Sequence, residues 1–337
     1  MRTFVIAEAG VNHNGDPELA VRMVKAAAEA GADAVKFQTF RAEDIVTAGA
    51  RKADYQKKND GTGSQLEMLK KLEIADKTHT LLMEACTENG IEFMSTPFSV
   101  NSARFLAALG MKTWKIPSGE ITNRPLLEYI GSLQPTKIIM STGMSTLAEI
   151  KEALEVLHTA GADRKSVYLL HCNTAYPTPF DDVNLLALDT LAKLPVAAVG
   201  YSDHTEGIAI APAAVARGAA IIEKHFTLDR NMAGPDHAAS LLPDEFRQMV
   251  RDIRAVEAAL GSPEKKPTES ERKNMVSARK SLVAMTFIAA GEKFSPENLG
   301  CKRPGDGLSP MFIHSLEGRR SKHSYQPDEQ IKEDEII

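Results

Sequence analysis

The chain has 337 residues, of which 43% are hydrophobic and 25% are charged, and this length allows one large domain and a small second one. The formal net charge of −5 argues against a nucleic-acid partner, because proteins that bind nucleic acids usually carry a basic face. No apolar stretch approaches the roughly 20 residues of a membrane helix, and the first residues lack the pattern of an export signal. We therefore expect a cytoplasmic protein without a membrane or nucleic-acid partner.

Short runs of β-branched residues alternate eight times with amphipathic helical stretches. Strands that alternate with helices imply crossover connections and a parallel sheet. Eight such units in about 260 residues match the usual size of a (β/α)₈ TIM barrel. A doubly wound sheet is the alternative, but no glycine-rich dinucleotide turn follows the first run. The predicted strands are residues 3–8, 34–39, 91–96, 113–118, 137–142, 166–172, 197–203 and 219–225.

The alternation fails in two places. Residues 41–63 form a long polar stretch after the second strand, which predicts a lid or a partner-contacting loop. Residues 263–277 are charged and contain proline, which indicates a linker between a barrel at 1–262 and a second domain at 278–337. That domain alternates short apolar runs with Gly and Pro turns. We predict a compact β-rich module, small enough to need a partner surface for stability.

Polar side chains lie at the end of every predicted strand. Barrel enzymes form their active sites there, and helix capping explains hydroxyls but not lysines inside apolar strands. The pattern therefore favours an enzyme. In chain order these residues are Glu8, Lys36, Gln38, Ser95, Thr96, Lys115, Ser118, Glu120, Ser141, Thr142, Asn173, Thr174, Tyr176, Ser202, Asp203, His204, Glu223 and His225.

Two of these residues, Lys36 and Lys115, would point cations into the mouth of the barrel. Together with hydroxyls such as Ser118, Ser141 and Ser202, they suit a ligand that carries phosphate and carboxylate groups. The alternative is a lysine that forms a Schiff base, as in class I aldolases. Two lysines among phosphate-type donors favour the anionic ligand.

The ends of the seventh and eighth strands carry His204 and His225. Two imidazoles on adjacent strand ends can share a metal ion that keeps open positions, with Asp203 and Glu223 orienting them. Acid–base or structural roles are equally consistent with such a pair, and His237 is a competing ligand. From spacing alone, the metal and non-metal alternatives both stay open.

Several runs resemble those of the sialic acid synthases, a family with N-acetylneuraminate, legionaminate and pseudaminate synthase branches. The resemblance follows the chain in order over nearly its whole length, and the C-terminal run resembles the family's antifreeze-like (SAF) domain. The runs are AEAGVNHNGD (7–16), AVKFQTF (34–40), STPFS (95–99), WKIPSGEITN (114–123), STGM (141–144), HCNTAYPTPFDDVNL (171–185), GYSDHTEG (200–207), IEKHFTLDRNMAGPDHAASL (222–241) and CKRPGDGLSP (301–310).

The resemblance implies an enzyme that condenses phosphoenolpyruvate with N-acetylmannosamine and water, giving N-acetylneuraminate and phosphate. One alternative is an N,N'-diacetyllegionaminate synthase, which uses 2,4-diacetamido-2,4,6-trideoxymannose; a non-catalytic sugar-binding barrel is another. A barrel enzyme that takes a phosphorylated aldose is a further rival, but it needs additional arginines at the strand ends. The resemblance also implies a domain-swapped homodimer and a divalent metal, Mn²⁺ or Mg²⁺, held by His204 and His225.

Roles for individual residues follow from the same resemblance. Glu120 is expected to manage the proton of the water and Glu8 to hold sugar hydroxyls, with the reverse assignment open. Thr174 is favoured over Asn173 as a substrate contact, although some relatives order this motif differently. The expected catalytic residues are Glu8, Lys115, Glu120, His204 and His225. Phosphoenolpyruvate would meet Lys36, Thr96, Lys115, Ser118, Ser141, Tyr176 and Ser202, and the sugar would lie near Glu8, Glu120, Tyr176, Asp236 and the partner chain's copy of Arg303.

Overall fold

The computed structural model describes residues 2–52 and 63–337. The chain divides into two compact units, Met1–Gly261 and Ser262–Ile337. Within the described ranges, no helix combines the length and the apolar character that a membrane span requires.

The first unit is built on eight parallel strands. They are β1 (Phe4–Gly10), β2 (Ala34–Thr39), β3 (Glu92–Pro97), β4 (Thr113–Ile116), β5 (Lys137–Ser141), β6 (Val167–His171), β7 (Ala198–Asp203) and β8 (Ile221–His225). Their order in the sheet is β3-β2-β1-β8-β7-β6-β5-β4, and β3 lies against β4 to close it. The predicted (β/α)₈ barrel is confirmed.

Helices cover the outside of this barrel. The helices are α1 (Pro17–Glu29), α2 (Ala42–Ile45), α3 (Gln65–Lys70), α4 (Asp76–Glu88), α5 (Val100–Ala108), α6 (Arg124–Ser132), α7 (Leu147–Thr159), α8 (Ala187–Leu191), α9 (Ile210–Ala216) and α10 (Pro243–Leu260). In α1, Asp16 caps the first turn, and residues spaced three or four apart, such as Leu19, Met23 and Ala27, are buried. Such a stripe forms because one helix face packs on the strands.

Strand register decides which side chains meet inside the barrel. Because β1 pairs with both β2 and β8, Glu8 lies beside Lys36 on one side and beside His225 on the other. In the same way, Ser202 on β7 lies beside Glu223 on β8. The register therefore brings polar residues from distant parts of the sequence together at the carboxyl ends of the strands.

The predicted polar loop at 41–63 is only partly described. Helix α2 lies within it, and residues 53–62 fall outside the described residues. Helix α3 then begins after Ser64. The Ser64 hydroxyl accepts from the backbone amide of Glu67, and the Glu67 carboxylate accepts from the backbone amide of Ser64. This capping box fixes where the helix starts.

The second unit begins with helix α11 (Glu269–Ala278), inside the segment predicted as a linker. Thr268 and Glu271 form a capping box at its start, a Thr-x-x-Glu signal that specifies a helix even in a charged stretch. Beyond it, β9 (Ser281–Ala284) pairs antiparallel with β10 (Leu299–Lys302), and helix α12 (Ile313–Leu316) follows. Leu282, Phe294 and Tyr325 are among the buried residues of its separate hydrophobic core.

Candidate active site

The carboxyl ends of the strands surround a cavity of about 340 Å³. Nearly all of the residues with a predicted catalytic or binding role line it, as do the strand-end residues Gln38 and Glu223, whereas the strand-end residues Ser95, Thr142, Asn173 and Asp203 do not. Arg303 belongs to the second unit, where it is exposed and donates from Nε to the carbonyl oxygen of Ala278 over 3.1 Å. The predicted residues that line the cavity are Glu8, Lys36, Thr96, Lys115, Ser118, Glu120, Ser141, Thr174, Tyr176, Ser202, His204, His225 and Asp236.

Two buried lysines and two buried carboxylates form a charged network at the bottom of this cavity. Lys36 contacts Glu8, and its Nζ lies 3.8 Å from Glu223 Oε1; Lys115 Nζ lies 3.6 Å from that same oxygen. Burial alone would lower the pKa of Lys36, but Glu223 and Glu8 outweigh it and raise that pKa above its ordinary value. Lys36 therefore remains a cation, ready to bind an anion.

Hydroxyl groups extend the anion-binding surface. Lys36 Nζ donates to Thr96 Oγ1 over 3.2 Å, and Lys115 Nζ donates to Ser141 Oγ over 2.8 Å. Ser118 Oγ accepts from the Gly143 amide over 3.0 Å, and a Cβ at Gly143 would lie 2.9 Å from that oxygen. Only glycine permits this approach. The cations and hydroxyls together can hold a phosphate and a carboxylate.

The two predicted histidines lie side by side, with ring centroids 5.4 Å apart. His204 Nδ1 lies 2.5 Å from the carbonyl oxygen of Asn173, so this nitrogen carries the proton and Nε2 keeps its lone pair. Burial lowers the pKa of His204 to about 4. Burial first, and then neighbouring His204, lowers the pKa of His225 well below its ordinary value. Both rings are neutral, as metal ligation requires.

These imidazoles fit a divalent ion. His225 Nδ1 and Glu223 Oε2 are buried atoms without a hydrogen-bond partner among the described residues, and such atoms need a ligand to offset their burial. No group of three or more His, Cys, Asp or Glu residues in the described ranges could hold a metal. The remaining coordination positions would therefore fall to water and substrate oxygens.

The predicted orienting role of Asp203 is wrong, whereas Glu223 meets His204 through Ser202, whose hydroxyl donates to Glu223 Oε1 over 3.1 Å and lies 3.4 Å from His204 Nε2. Asp203 Oδ2 lies 3.0 Å from Lys224 Nζ, and Asp203 Oδ1 accepts from the amide and hydroxyl of Thr205. Successive side chains on a strand point to opposite faces of the sheet. Because Ser202 and Glu223 face the cavity, the neighbouring residues Asp203 and Lys224 pair on the other face. Glu223 contacts the lysines as well. The Asn173 carbonyl, rather than Asp203, orients His204.

His237, which the sequence offered as a competing metal ligand, does not line the cavity. Its Nδ1 lies 2.7 Å from Thr227 Oγ1, and its Nε2 lies 3.3 Å from Asn14 Oδ1. Both ring nitrogens thus have partners inside the protein, which indicates a structural role.

Two carboxyl groups besides Glu8 and Glu223 reach the cavity, and burial raises the pKa of each. Glu120 Oε2 accepts from Asn123 Nδ2 over 2.6 Å, and burial raises the pKa of Glu120 in spite of this bond. Burial, with a contribution from Glu8, raises the pKa of Asp236 to about 7. Asp236 can therefore exchange a proton near neutral pH.

Tyr176 covers the histidines from one side. Its ring centroid lies 4.2 Å from that of His204 and 5.4 Å from that of His225. A ring in this position excludes water from one face of the imidazole pair.

Part of the cavity is apolar, and no sequence pattern predicted it. We call it the apolar wall; it consists of Val11, Phe40, Ile45, Val46, Met68, Leu69, Leu72 and Phe98. These residues follow β1, β2 and β3 and come from loops and short helices, where no strand or helix period identifies a shared face.

The sequence matches the NeuB family over residues 23–265 and the SAF domain over residues 279–337. It is 50% identical to the N,N'-diacetyllegionaminic acid synthase of Campylobacter jejuni over 98% of this chain and 99% of that protein. The protein of the same name from Legionella pneumophila is 47% identical over 95% of this chain and 90% of its own length. The crystal structure of N-acetylneuraminic acid synthetase from Leptospira borgpetersenii superimposes with a TM-score of 0.73 at 35% identity, covering 81% of this chain and 90% of that one.

Proposed function

The chain belongs to the NeuB family, and from this premise we propose that it condenses phosphoenolpyruvate with the open-chain form of an N-acetylated amino sugar, in a reaction that consumes water and releases phosphate. The family and the SAF domain, predicted from the motifs, and the barrel, predicted from the alternation of strands and helices, are confirmed. The observation that carries the proposal is one cavity in which buried lysines lie beside a pair of neutral imidazoles. A cytoplasmic location stays a prediction.

Phosphoenolpyruvate carries the phosphate and carboxylate that the anion-binding surface suits. We assign it to Lys36, Lys115, Thr96, Ser118, Ser141 and Ser202, with Thr174 and Tyr176 beside them. The buried lysines and hydroxyls can bind such an ion strongly, because protein groups take over part of its solvation.

The second substrate meets the other half of the cavity. His204 and His225 would hold Mn²⁺ or Mg²⁺, which when bound supplies a Lewis acid for the aldehyde oxygen. Carbon 3 of phosphoenolpyruvate bonds to the aldehyde carbon as the C=O π bond opens toward its oxygen, which takes up a proton to become a hydroxyl, and positive charge develops at carbon 2. We assign the offset of this charge to the carboxylates of Glu8 and Glu223, which line the same cavity.

Water adds at carbon 2, and the bond to the phosphate oxygen breaks. We assign the water's proton to Glu120, because burial raises the pKa of this carboxyl group and so makes its carboxylate a stronger base. Glu8 and Asp236 would then hold sugar hydroxyls. Among the described residues that line the cavity there is no arginine, which argues against a second phosphate pocket and hence against a phosphorylated aldose.

Two sugars are candidates for the second substrate. One is N-acetylmannosamine; the other is 2,4-diacetamido-2,4,6-trideoxymannose, which would give N,N'-diacetyllegionaminate. Two relatives at 50% and 47% identity are named for the second product, which favours that sugar.

A second copy of this chain would complete the site. Met144, Phe180 and Leu186, in loops after β5 and β6, are 72%, 60% and 66% exposed, and Met311 in the second unit is 89% exposed. Large apolar side chains left in water favour burial against a partner. We propose that the homodimer is domain-swapped and that Arg303 from one chain binds the acetamido group in the other chain's cavity.

An assay of phosphate release tests the proposed function. With Mn²⁺ present, phosphate should appear only when phosphoenolpyruvate and one of the two sugars are both supplied, and mass spectrometry should show one nine-carbon acid per phosphate. Phosphate release without a sugar, or none with either sugar, would contradict the proposal.

The role of Glu120 predicts a particular pH dependence. The free enzyme's kcat/KM should fall as pH drops through the raised pKa of Glu120, because only the carboxylate accepts a proton. Asn123→Asp keeps the side-chain oxygen that caps α6 but places a negative charge beside Glu120. That charge raises the pKa of Glu120 further, so the acid limb of the profile should move to higher pH.

Glu120→Gln serves as the companion variant and should lose at least about 100-fold in kcat. Equal melting temperatures for the three proteins would show that folding is intact. An acid limb that stays in place in Asn123→Asp, with full activity in Glu120→Gln, would assign the proton to another group.

A further inference from the structure

We infer that the apolar wall selects the sugar, by taking the C6 methyl and the C4 acetamido methyl of a 2,4-diacetamido-2,4,6-trideoxyhexose. This inference rests on the proposed function and assigns a specificity role to residues outside the catalytic groups. It concerns the end of the sugar that does not react.

The wall lies on one side of the cavity. Val11 follows β1, Phe40 follows β2 and Phe98 follows β3, whereas the histidines end β7 and β8. The aldehyde carbon must lie near the histidines and phosphoenolpyruvate for the new bond to form. Because β1 neighbours β8, the wall begins beside His225 and extends away from it toward the end of β3. Carbons 4 to 6 of the sugar are the part left to reach this wall.

The wall is preformed. Val11, Phe40, Met68 and Leu72 are buried and pack as one cluster, and the rings of Phe40 and Phe98 meet edge to face with centroids 6.0 Å apart. Because these side chains already hold one another in place, a ligand does not have to order them on binding.

The two candidate sugars differ at the groups that would reach this wall. N-acetylmannosamine places hydroxyls at C4 and C6, and a hydroxyl against an apolar surface gives up its water without a new partner. The diacetamido-trideoxy sugar carries a methyl group at C6 and an acetamido group at C4, and the C6 methyl and the methyl end of the acetamido group gain from leaving water. Apolar pockets discriminate at this level by on the order of 100-fold in kcat/KM.

Competition between the two sugars tests the inference. The wild-type dimer should prefer the diacetamido-trideoxy sugar by on the order of 100-fold in kcat/KM. Val11→Thr replaces a methyl by a hydroxyl at nearly constant shape, and Met68→Gln makes a similar change. Each should reduce the preference about tenfold, while the KM for phosphoenolpyruvate stays unchanged.

Leu81→Gln is the matched control, because Leu81 is 44% exposed on α4 and does not line the cavity. It should leave the preference unchanged. A purely structural wall would lower the melting temperatures of Val11→Thr and Met68→Gln and leave the sugar ratio as it is. That outcome, or a wild type that prefers N-acetylmannosamine, would overturn the inference, whereas no turnover with either sugar would overturn the proposed function instead.

Discussion

His204→Ala and His225→Ala should each lower kcat/KM by at least about 1,000-fold, because each removes one of the two protein ligands proposed for the divalent ion. Excess chelator should reduce wild-type activity to a similar level, and added Mn²⁺ should restore the wild type but neither variant. Binding of Mn²⁺, measured by electron paramagnetic resonance without substrates, should weaken at least about tenfold in both variants.

The matched control for these variants is His158→Ala, which removes an exposed histidine on α7. It should bind Mn²⁺ and turn over as the wild type does. Full activity in excess chelator would contradict the metal's role and make the neutral imidazoles acid–base groups. Unchanged Mn²⁺ affinity in both histidine variants would place the ion elsewhere.

Much of the barrel was predictable because the pattern of its strands and the pattern of its helices can both be read from the sequence. Apolar strands of four to seven residues alternate with helices that bury a stripe, as α1 does with Leu19, Met23 and Ala27. Each signal is local in sequence. The strand ends then identify candidate residues, because a parallel barrel brings all its carboxyl ends to one face.

The contacts within the site were less predictable, because they depend on register and on backbone atoms. The position of Glu223 near Lys36 follows from how β8, β1 and β2 align, and its position near Lys115 from the alignment of β4 to β8. The sequence specifies neither register. His204 is oriented by the carbonyl of Asn173, and a carbonyl is common to every residue type.

The start of helix α11 was marked in the sequence by a capping pattern, but the composition of the segment favoured a linker. Charge and proline in residues 263–277 favoured a linker, yet Thr268 and Glu271 already formed the capping pattern of a helix start. The apolar wall had no such signal. Met68 and Leu72 line the cavity from α3 and the turn after it, far along the chain from any strand end.

Activity recovered by mixing two inactive variants is the sharpest result expected from the proposed dimer. Lys115→Ala removes a buried cation that contacts Glu223 and Ser141 and should lower kcat/KM at least about 1,000-fold, since charge-assisted contacts to the substrate anion are lost. Arg303→Ala should cost about 100-fold, because a guanidinium fork no longer binds the acetamido oxygen.

Mixed dimers distinguish a site shared between chains from a site within one chain. In a swapped dimer, the intact barrel of the Arg303→Ala chain receives Arg303 from the Lys115→Ala chain, so one of its two sites is whole. Random pairing makes half of the dimers mixed, so co-refolded protein should recover about a quarter of wild-type activity. Each variant refolded alone is the control and should stay inactive. Mixed dimers confirmed by native mass spectrometry but without activity would place Arg303 in its own chain's site or outside any site.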